Sequence, residues 1–269
     1  MLVHAVRALG AARAVDEVVV VAPADAMEEV RSLLRGDTVL QREDVRVLVV
    51  AGGRTRQESV RLGLASLGDD VDVVLVHDAA RPLVPIDLVD RVVLAVRAGA
   101  DAVIPVLPLA DTVKRVDEAG RVAETVDRSS LRAVQTPQGF SRAVLEEAHV
   151  GAAADAQHEA TAATDDAGLV ERLGRTVHAV AGSEEAFKVT RPLDLVLAEA
   201  VLARRRAGGE RRLPRRRGES ALTAGRLSRN SPAHAAAGCG PALALRDRRR
   251  LVRLRGAALR HGRHQWCGL

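Results

Sequence analysis

Lysine, tyrosine and cysteine are nearly missing from this 269-residue chain, and each shortage excludes something. Tyr is absent, and Phe140, Phe187 and Trp266 are the whole aromatic complement. Single-stranded nucleic-acid sites stack bases on aromatic faces, so this composition argues against one. The two cysteines, Cys239 and Cys267, fit no zinc-ligand spacing and lie far from any segment with catalytic character. A reduced, cytoplasmic setting is the expectation. Arg7 and Arg13 interrupt the first apolar stretch, so no signal peptide is expected. No run approaches the roughly eighteen apolar residues of a membrane span. No GxGxxG follows a strand-like run, which argues against a nicotinamide-dependent enzyme.

What is present divides in two. The net charge of +5 conceals opposite halves. Residues 1–203 carry 22 Lys and Arg against 32 Asp and Glu, whereas residues 204–269 carry 18 Arg against Glu210, Glu219 and Asp247. The acidic part has the apolar content of a globular domain. The basic part is Arg, Ala, Gly, Leu and Pro without sustained periodicity. It reads as a disordered tail or as the out-of-frame translation of GC-rich DNA, dispensable to the domain in either case.

Within residues 1–110, Val-rich runs at Glu17–Ala22, Val45–Val50, Asp72–His77 and Ala102–Val106 alternate with helical patterns at Leu2–Ala14, Asp25–Arg35, Gln57–Leu67 and Ile86–Ala98. Continuous apolar strands separated by helices predict an α/β fold: a doubly wound, mostly parallel sheet covered on both faces. Such sheets bind ligands beyond the carboxyl ends of their strands. After Pro108, Thr112–Val116 and Arg121–Val126 flank Asp117-Glu118-Ala119-Gly120 and predict a β-hairpin arm within about residues 111–140. Helices at Ser141–Ala152 and Asp165–Leu173, a strand at Thr176–Val180 and a final helix at Pro192–Ala203 complete the domain.

The polar motifs fall where such a sheet presents ligand-binding residues. Gly52-Gly53-Arg54-Thr55-Arg56-Gln57-Glu58-Ser59 joins a strand to a helix, where free N–H groups suit an anion or a base edge. A plain strand–helix turn would look the same. His77-Asp78-Ala79-Ala80-Arg81-Pro82 ends the third strand, and an acid there can hold a metal ion beside phosphates. Asp78 also reads as a helix-capping residue or a partner of Arg81, and His77 as a packed strand residue. Against 38 Arg, the two lysines, Lys114 and Lys188, stand out. A lysine kept against that bias suits a position needing a compact ammonium.

Taken together and in order, GGRTRQESV, VHDAARP, DTVKR, VDRSSLRAVQTPQGF, ATDDA and FKVTRPLDLVLAEA resemble the 2-C-methyl-D-erythritol 4-phosphate cytidylyltransferase family over residues 1 to about 203. The resemblance implies a nucleotidyltransferase-type, Rossmann-like layer whose hairpin arm is exchanged in a homodimer. It implies transfer of CMP from CTP to a sugar-alcohol phosphate, with Mg²⁺ as cofactor and no protein nucleophile. By motif, Gly53, Arg56 and Ser59 would meet the cytosine and ribose of CTP. Asp78 would lie near the metal, with Ala79 and Arg81 beside it. Thr112, Arg128, Thr136 and Lys188 would hold the methylerythritol phosphate, with Arg128 and Thr136 reaching across from the partner subunit and Thr164 contributing less directly. Lys188, Asp78 and Arg128 are the expected catalytic residues.

Two departures qualify that implication. The family opens with a strand and a Gly-rich loop ending in Pro-Lys that cradles the triphosphate. Met1 here aligns with the helix after that loop, so roughly thirty residues of phosphate cradle are expected to be missing. The chain as it stands is therefore expected to turn over negligibly. Ala186 also stands where family members often have Asn. A pentitol phosphate such as ribitol 5-phosphate as acceptor, and an inactive dimeric remnant, remain the alternatives.

Overall fold

The computed structural model describes residues 1–42, 45–152 and 165–207 and the strand at 250–256. The two periods read from the sequence become alternating elements: α1 (Leu2–Gly10), β1 (Glu17–Ala22), α2 (Met27–Arg35), β2 (Arg46–Ala51), α3 (Arg56–Leu64), β3 (Val71–Val76), α4 (Ile86–Arg97) and β4 (Ala102–Pro108). Then come the hairpin β5 (Val113–Val116) and β6 (Val122–Val126), short strands β7 (Arg132–Val134) and β8 (Gln138–Ser141), α5 (Arg142–Gly151), α6 (Asp166–Arg172), β9 (Val177–Ala181), α7 (Pro192–Ala207) and β10 (Arg250–Gly256).

The main sheet runs β2-β1-β10-β3-β8-β4-β7, with β9 also paired to β4. β2, β1, β10 and β3 are mutually parallel, β9 runs parallel to β4, and β7 and β8 are antiparallel to their neighbours. Every residue of β1 is buried, as both-face coverage by helices requires. One apolar cluster joins α1, α2 and α4 to one face through Val6, Leu9, Val18, Val20, Leu88 and Val92. A second joins α3, α5 and α6 to the other through Val19, Val60, Val74, Phe140, Leu145 and Val170. Alternate residues of β1 thus serve opposite cores.

Three features differ from the sequence expectation. Arg132–Val134 and Gln138–Ser141 pair into the sheet rather than serving only as a connection. Neither run is long enough to show a period, but each closes an open strand edge. Gly139 fits there because a Cβ would meet Val92 Cγ1 at 2.5 Å. The last helix continues past Ala203 to Ala207, where Arg204 and Arg205 both pair with Glu185 and Arg205 Nη2 donates to the Leu83 carbonyl at 2.8 Å. Finally, the basic segment contributes β10, between β1 and β3. Two buried parallel strands facing each other across a slot present unpaired N–H and C=O groups, and an extended segment satisfies them. The remainder of the tail, residues 208–249 and 257–269, lies outside the described residues.

The hairpin stands apart from this sheet, its two strands paired only with each other. Gly120, at φ +76°, closes its turn, and the Asp117 carboxylate accepts the N–H groups of Ala119 and Arg121. No core lies beneath it: Val116 and Val122 are both exposed.

Ending the chain at Ala207 is expected to uncover the facing edges of β1 and β3. The unfolding midpoint should fall and aggregation on heating should rise relative to the full chain. An unchanged midpoint and a monodisperse truncated protein would show that residues 1–207 close their sheet without β10.

Candidate active site

The carboxyl ends of β2 and β3 and the segments after β7 and β9 bring the polar motifs to one edge of the sheet. The first wall is the turn from β2 into α3. Thr55 caps α3, its Oγ1 accepting the Glu58 N–H at 3.1 Å, and the Glu58 carboxylate accepts the Arg54 N–H at 2.7 Å. Ser59 Oγ accepts the Gly53 N–H at 3.1 Å and donates to the Thr55 carbonyl at 2.8 Å. Both glycines are sterically required in this arrangement. A Cβ on Gly53 would lie 2.2 Å from Glu58 Cγ, and one on Gly52 would lie 2.9 Å from Ser59 Oγ. The Thr-x-x-Glu spacing, a helix-start signature, was the available signal for the parts played by Thr55 and Glu58.

The second wall follows β3. Asp78 Oδ2 lies 3.4 Å from Lys188 Nζ and 3.8 Å from Arg81 Nε. Arg81 is held by backbone oxygens, Nη1 donating to Ala186 at 2.8 Å and Nη2 to Val134 at 3.3 Å. Burial pushes its guanidinium below the ordinary value, with the Asp78 charge pulling the other way. Its Nε is buried and has no hydrogen-bond partner among the described residues, so a donor beside Asp78 is left for a ligand or water. Ala79 is half-buried against the apolar cluster, which keeps this turn compact.

Thr136 ties the two sides of the edge together. Its hydroxyl oxygen accepts the Asp78 N–H at 3.0 Å and lies 3.1 Å from His77 Nδ1, while His77 Nε2 lies 3.0 Å from the Arg81 carbonyl. A carbonyl only accepts, so Nε2 carries the ring proton and donates to it. Nδ1 is then the acceptor for the Thr136 hydroxyl. The network fixes the backbone on both sides of Asp78 and accounts for a histidine buried in a strand end. Gln135 braces the same segment, its Nε2 donating to the Ser183 carbonyl at 2.8 Å and its Oε1 accepting the Ser183 N–H at 3.0 Å.

Arg56, on the first turn of α3, is 31% exposed and donates through Nη2 to Asp166 Oδ2 at 2.7 Å. Asp166 is fully buried, and its other oxygen lies 3.0 Å from His149 Nε2. Burial opposes both charges. The Asp166, Asp78 and Asp165 carboxylates nevertheless hold Arg56 above its ordinary value, and Arg56 and His149 hold Asp166 below its own. Asp166 and His149 escaped the sequence reading. The paired acids of ATDDA at a helix start were the only hint.

Of the residues expected at the site, Asp78, Ala79, Arg81, Thr136 and Lys188 are brought together, and Gly53, Arg56 and Ser59 form the adjacent turn. Thr112 and Arg128 belong to the arm: Thr112 is exposed, and Arg128 donates to the carbonyl of Ala110 within the arm itself. Thr164 lies outside the described residues. No group of three or more metal-ligating side chains occurs among the described residues. Among the same residues, no helix is long and apolar enough to cross a membrane.

The IspD family model, 2-C-methyl-D-erythritol 4-phosphate cytidylyltransferase, matches residues 1–204. The chain belongs to this family. The Streptomyces coelicolor 2-C-methyl-D-erythritol 4-phosphate cytidylyltransferase is 59% identical over 212 residues, covering 77% of this chain and 75% of that protein. The Frankia casuarinae protein of the same name is 55% identical over 204 residues, covering 76% and 71%. The fold agrees as well. The crystal structure of the Thermus thermophilus cytidylyltransferase is 36% identical with a TM-score of 0.55, covering 70% of this chain and 99% of that one. The 4-diphosphocytidyl-2C-methyl-D-erythritol synthase from Anaerococcus prevotii gives 28% and 0.65, covering 75% and 88%. The expected nucleotidyltransferase-type α/β fold and cytidylyltransferase class therefore hold.

Thr136→Val keeps the shape of Thr136 but removes its hydroxyl, and with it the contacts to the Asp78 N–H and His77 Nδ1. Loss of a hydrogen-bond partner in such a setting costs about 1–3 kcal/mol. The substitution is expected to lower the unfolding free energy by roughly that amount, while Thr136→Ser stays near wild type. Equal stability of Thr136→Val and wild type in urea titrations would show that this network does not hold the Asp78 turn.

Proposed function

We propose that this chain transfers CMP from CTP to 2-C-methyl-D-erythritol 4-phosphate at the edge formed by the Gly52–Gly53 turn and Asp78. The observation that carries this reading is the placement of Asp78 between Lys188 and Arg81 at the end of β3, near enough for its charge to act on Arg56 at the start of α3. An oxygen of the substrate's phosphate attacks the α-phosphorus of CTP. A new P–O bond forms, the bond to the β-phosphate oxygen breaks, and pyrophosphate leaves with the electron pair. Two anions must meet for this to happen, so a site of cations and N–H donors supplies what the reaction needs most: positioning and charge neutralisation.

The Gly52–Gly53 turn and Arg56 would take the base and ribose side of CTP, with Ser59 holding that turn in shape. Arg81, with its unpartnered Nε, and Lys188, whose side chain is 49% exposed, would face the phosphates. Mg²⁺ suits a single carboxylate shared with substrate phosphates, because the ion keeps several waters and seldom needs a full protein cage. Asp78 would hold it, and when bound the ion supplies charge neutralisation at the phosphates. Thr112 would meet the acceptor, and Arg128 would complete the acceptor pocket of a second copy, which fits its place on an exposed arm. Thr136 also reads as a substrate contact from the partner, although its hydroxyl is engaged within its own chain. The acceptor-side role of Thr164 rests on motif resemblance. A homodimer in the cytoplasm completes this reading.

With a family-like N-terminal segment ending in Pro-Lys joined ahead of Met1, Lys188→Ala and Asp78→Ala are each expected to lower turnover by roughly a hundredfold or more, since each removes a group that positions or neutralises charge in the transfer. Pyrophosphate release from CTP and methylerythritol phosphate is the measurement, with ribitol 5-phosphate as the competing acceptor. Variants as active as wild type, or a preference for ribitol 5-phosphate, would overturn the assignment. The arm leads to a separate expectation. An isolated two-stranded hairpin is marginal in water, so the protein should sediment as a dimer at micromolar concentration. A strict monomer would refute the shared acceptor pocket.

A further inference from the structure

We infer that Asp166, backed by His149, is the positioning residue that holds the Arg56 guanidinium at the mouth of the nucleotide site; the nucleotide part of this inference rests on the function proposed above. A carboxylate with no exposed surface is costly to bury, and a helix start that only needed packing would be better served by an apolar side chain. Here both carboxylate oxygens are committed. Oδ2 accepts from Arg56 Nη2 at 2.7 Å, and Oδ1 lies 3.0 Å from His149 Nε2. His149 is itself buried, and its Nδ1 has no partner among the described residues. The imidazole therefore makes one contact through its nitrogens, and that contact is Asp166.

The surrounding bonds hold the device in place. Asp165 caps α6 by accepting the Gly168 N–H at 3.0 Å, and its other oxygen accepts from Gln138 Nε2 at 2.9 Å. Gln138 Oε1 in turn accepts the Ala167 N–H at 3.2 Å, so β8 grips the residues on either side of Asp166. Gln57, next to Arg56, donates through Nε2 to the Ala152 carbonyl at 2.9 Å, tying α3 to the end of α5. Arg56 thus has one end anchored in the interior and 31% of its side chain open at the sheet edge. Such a geometry removes rotamer freedom from a long cation before a ligand arrives, which favours binding through pre-organisation rather than through an added contact.

The test uses the full chain and two readouts. By calorimetry, Asp166→Asn and Arg56→Ala should each weaken CTP binding by roughly tenfold, and the double variant should bind no more weakly than Arg56→Ala alone, because residues acting through one another are non-additive. Affinity for methylerythritol phosphate should not change. Multiplying losses, or an equal loss for the two ligands, would overturn the inference. The second readout needs no nucleotide. In ¹⁵N spectra of the arginine side chains, the Arg56 Nη protons should be protected from exchange in the wild type. They should lose that protection in Asp166→Asn and partly in His149→Leu, a packed apolar replacement that still decides the matter if Asp166→Asn does not fold. Unchanged protection in the variants would sink the anchoring. Absence of CTP binding by the wild type would instead overturn the proposed function and leave the anchoring to be decided by the spectra.

Discussion

Backbone pairing in the middle of a parallel sheet is the constraint on which the rest of this molecule depends. β1 and β3 are packed between helices on both faces, so their N–H and C=O groups have no water to turn to and must find another strand. Residues 1–207 supply partners on the outer sides of both, β2 beyond β1 and β8 beyond β3, but none between them. β10 takes that place, in register with Glu17–Val21 on one side and Val71–Val76 on the other, with one irregularity between Arg250 and Leu251. Its sequence, Arg-Leu-Val-Arg-Leu-Arg-Gly, contrasts with Glu-Val-Val-Val-Val-Ala in β1 and Val-Asp-Val-Val-Leu-Val in β3. The slot between β1 and β3 offers backbone hydrogen bonds, and β10 takes them up on both sides.

The same pairing sets up the chemistry. Parallel strands end together, so the turns after β2 and β3 emerge at the same edge of the sheet, with β1 and β10 between them. The antiparallel β8 returns with its beginning beside the end of β3, Val76 opposite Gln138. That delivers Thr136 to the Asp78 backbone and Gln138 to Asp165. The positive and negative groups of the edge are then held mostly by backbone and buried partners: Arg81 by two carbonyls, the Asp78 turn by Thr136, and Arg56 by Asp166. An edge built this way has its charges in place before any ligand arrives, which leaves little reorganisation to be made.

How much of this was legible in the sequence follows from the range of each interaction. β1 to β4 and the helices between them were readable because period and composition are local, and the strand limits moved by no more than about two residues, the usual uncertainty at element ends. β7 and β8 were not, since runs of three and four residues carry no period and exist by virtue of what they pair with. Asp78, Arg81 and Lys188 were expected at one place, and the structure brings them together, with Asp78 between the two cations. Asp166 and His149 were missed for the opposite reason. They are 17 residues apart and far from Arg56 in the chain, and only the folding of α5 and α6 against α3 makes them a unit. Thr112 and Arg128 were expected through motif alone, and the structure places both on the arm.

The scarcity of lysine gains a physical meaning at this edge. Arg56 and Arg81 are both engaged with protein acceptors, and the planar fork of a guanidinium suits that work, because two or more donors can be fixed at once. Such anchoring also makes a cation slow to follow a moving charge. Lys188 is placed differently. It precedes α7, is about half exposed, and meets Asp78 at 3.4 Å, beyond a close hydrogen bond. A compact ammonium on a flexible stem is less constrained in that loose pairing than an anchored guanidinium. Arginine at this position would present a bulkier, flatter head to a gap already occupied on one side by Arg81. Of the chain's two lysines, Lys114 lies on the exposed hairpin against Thr125, and Lys188 stands beside Asp78 without the anchoring that holds Arg56 and Arg81.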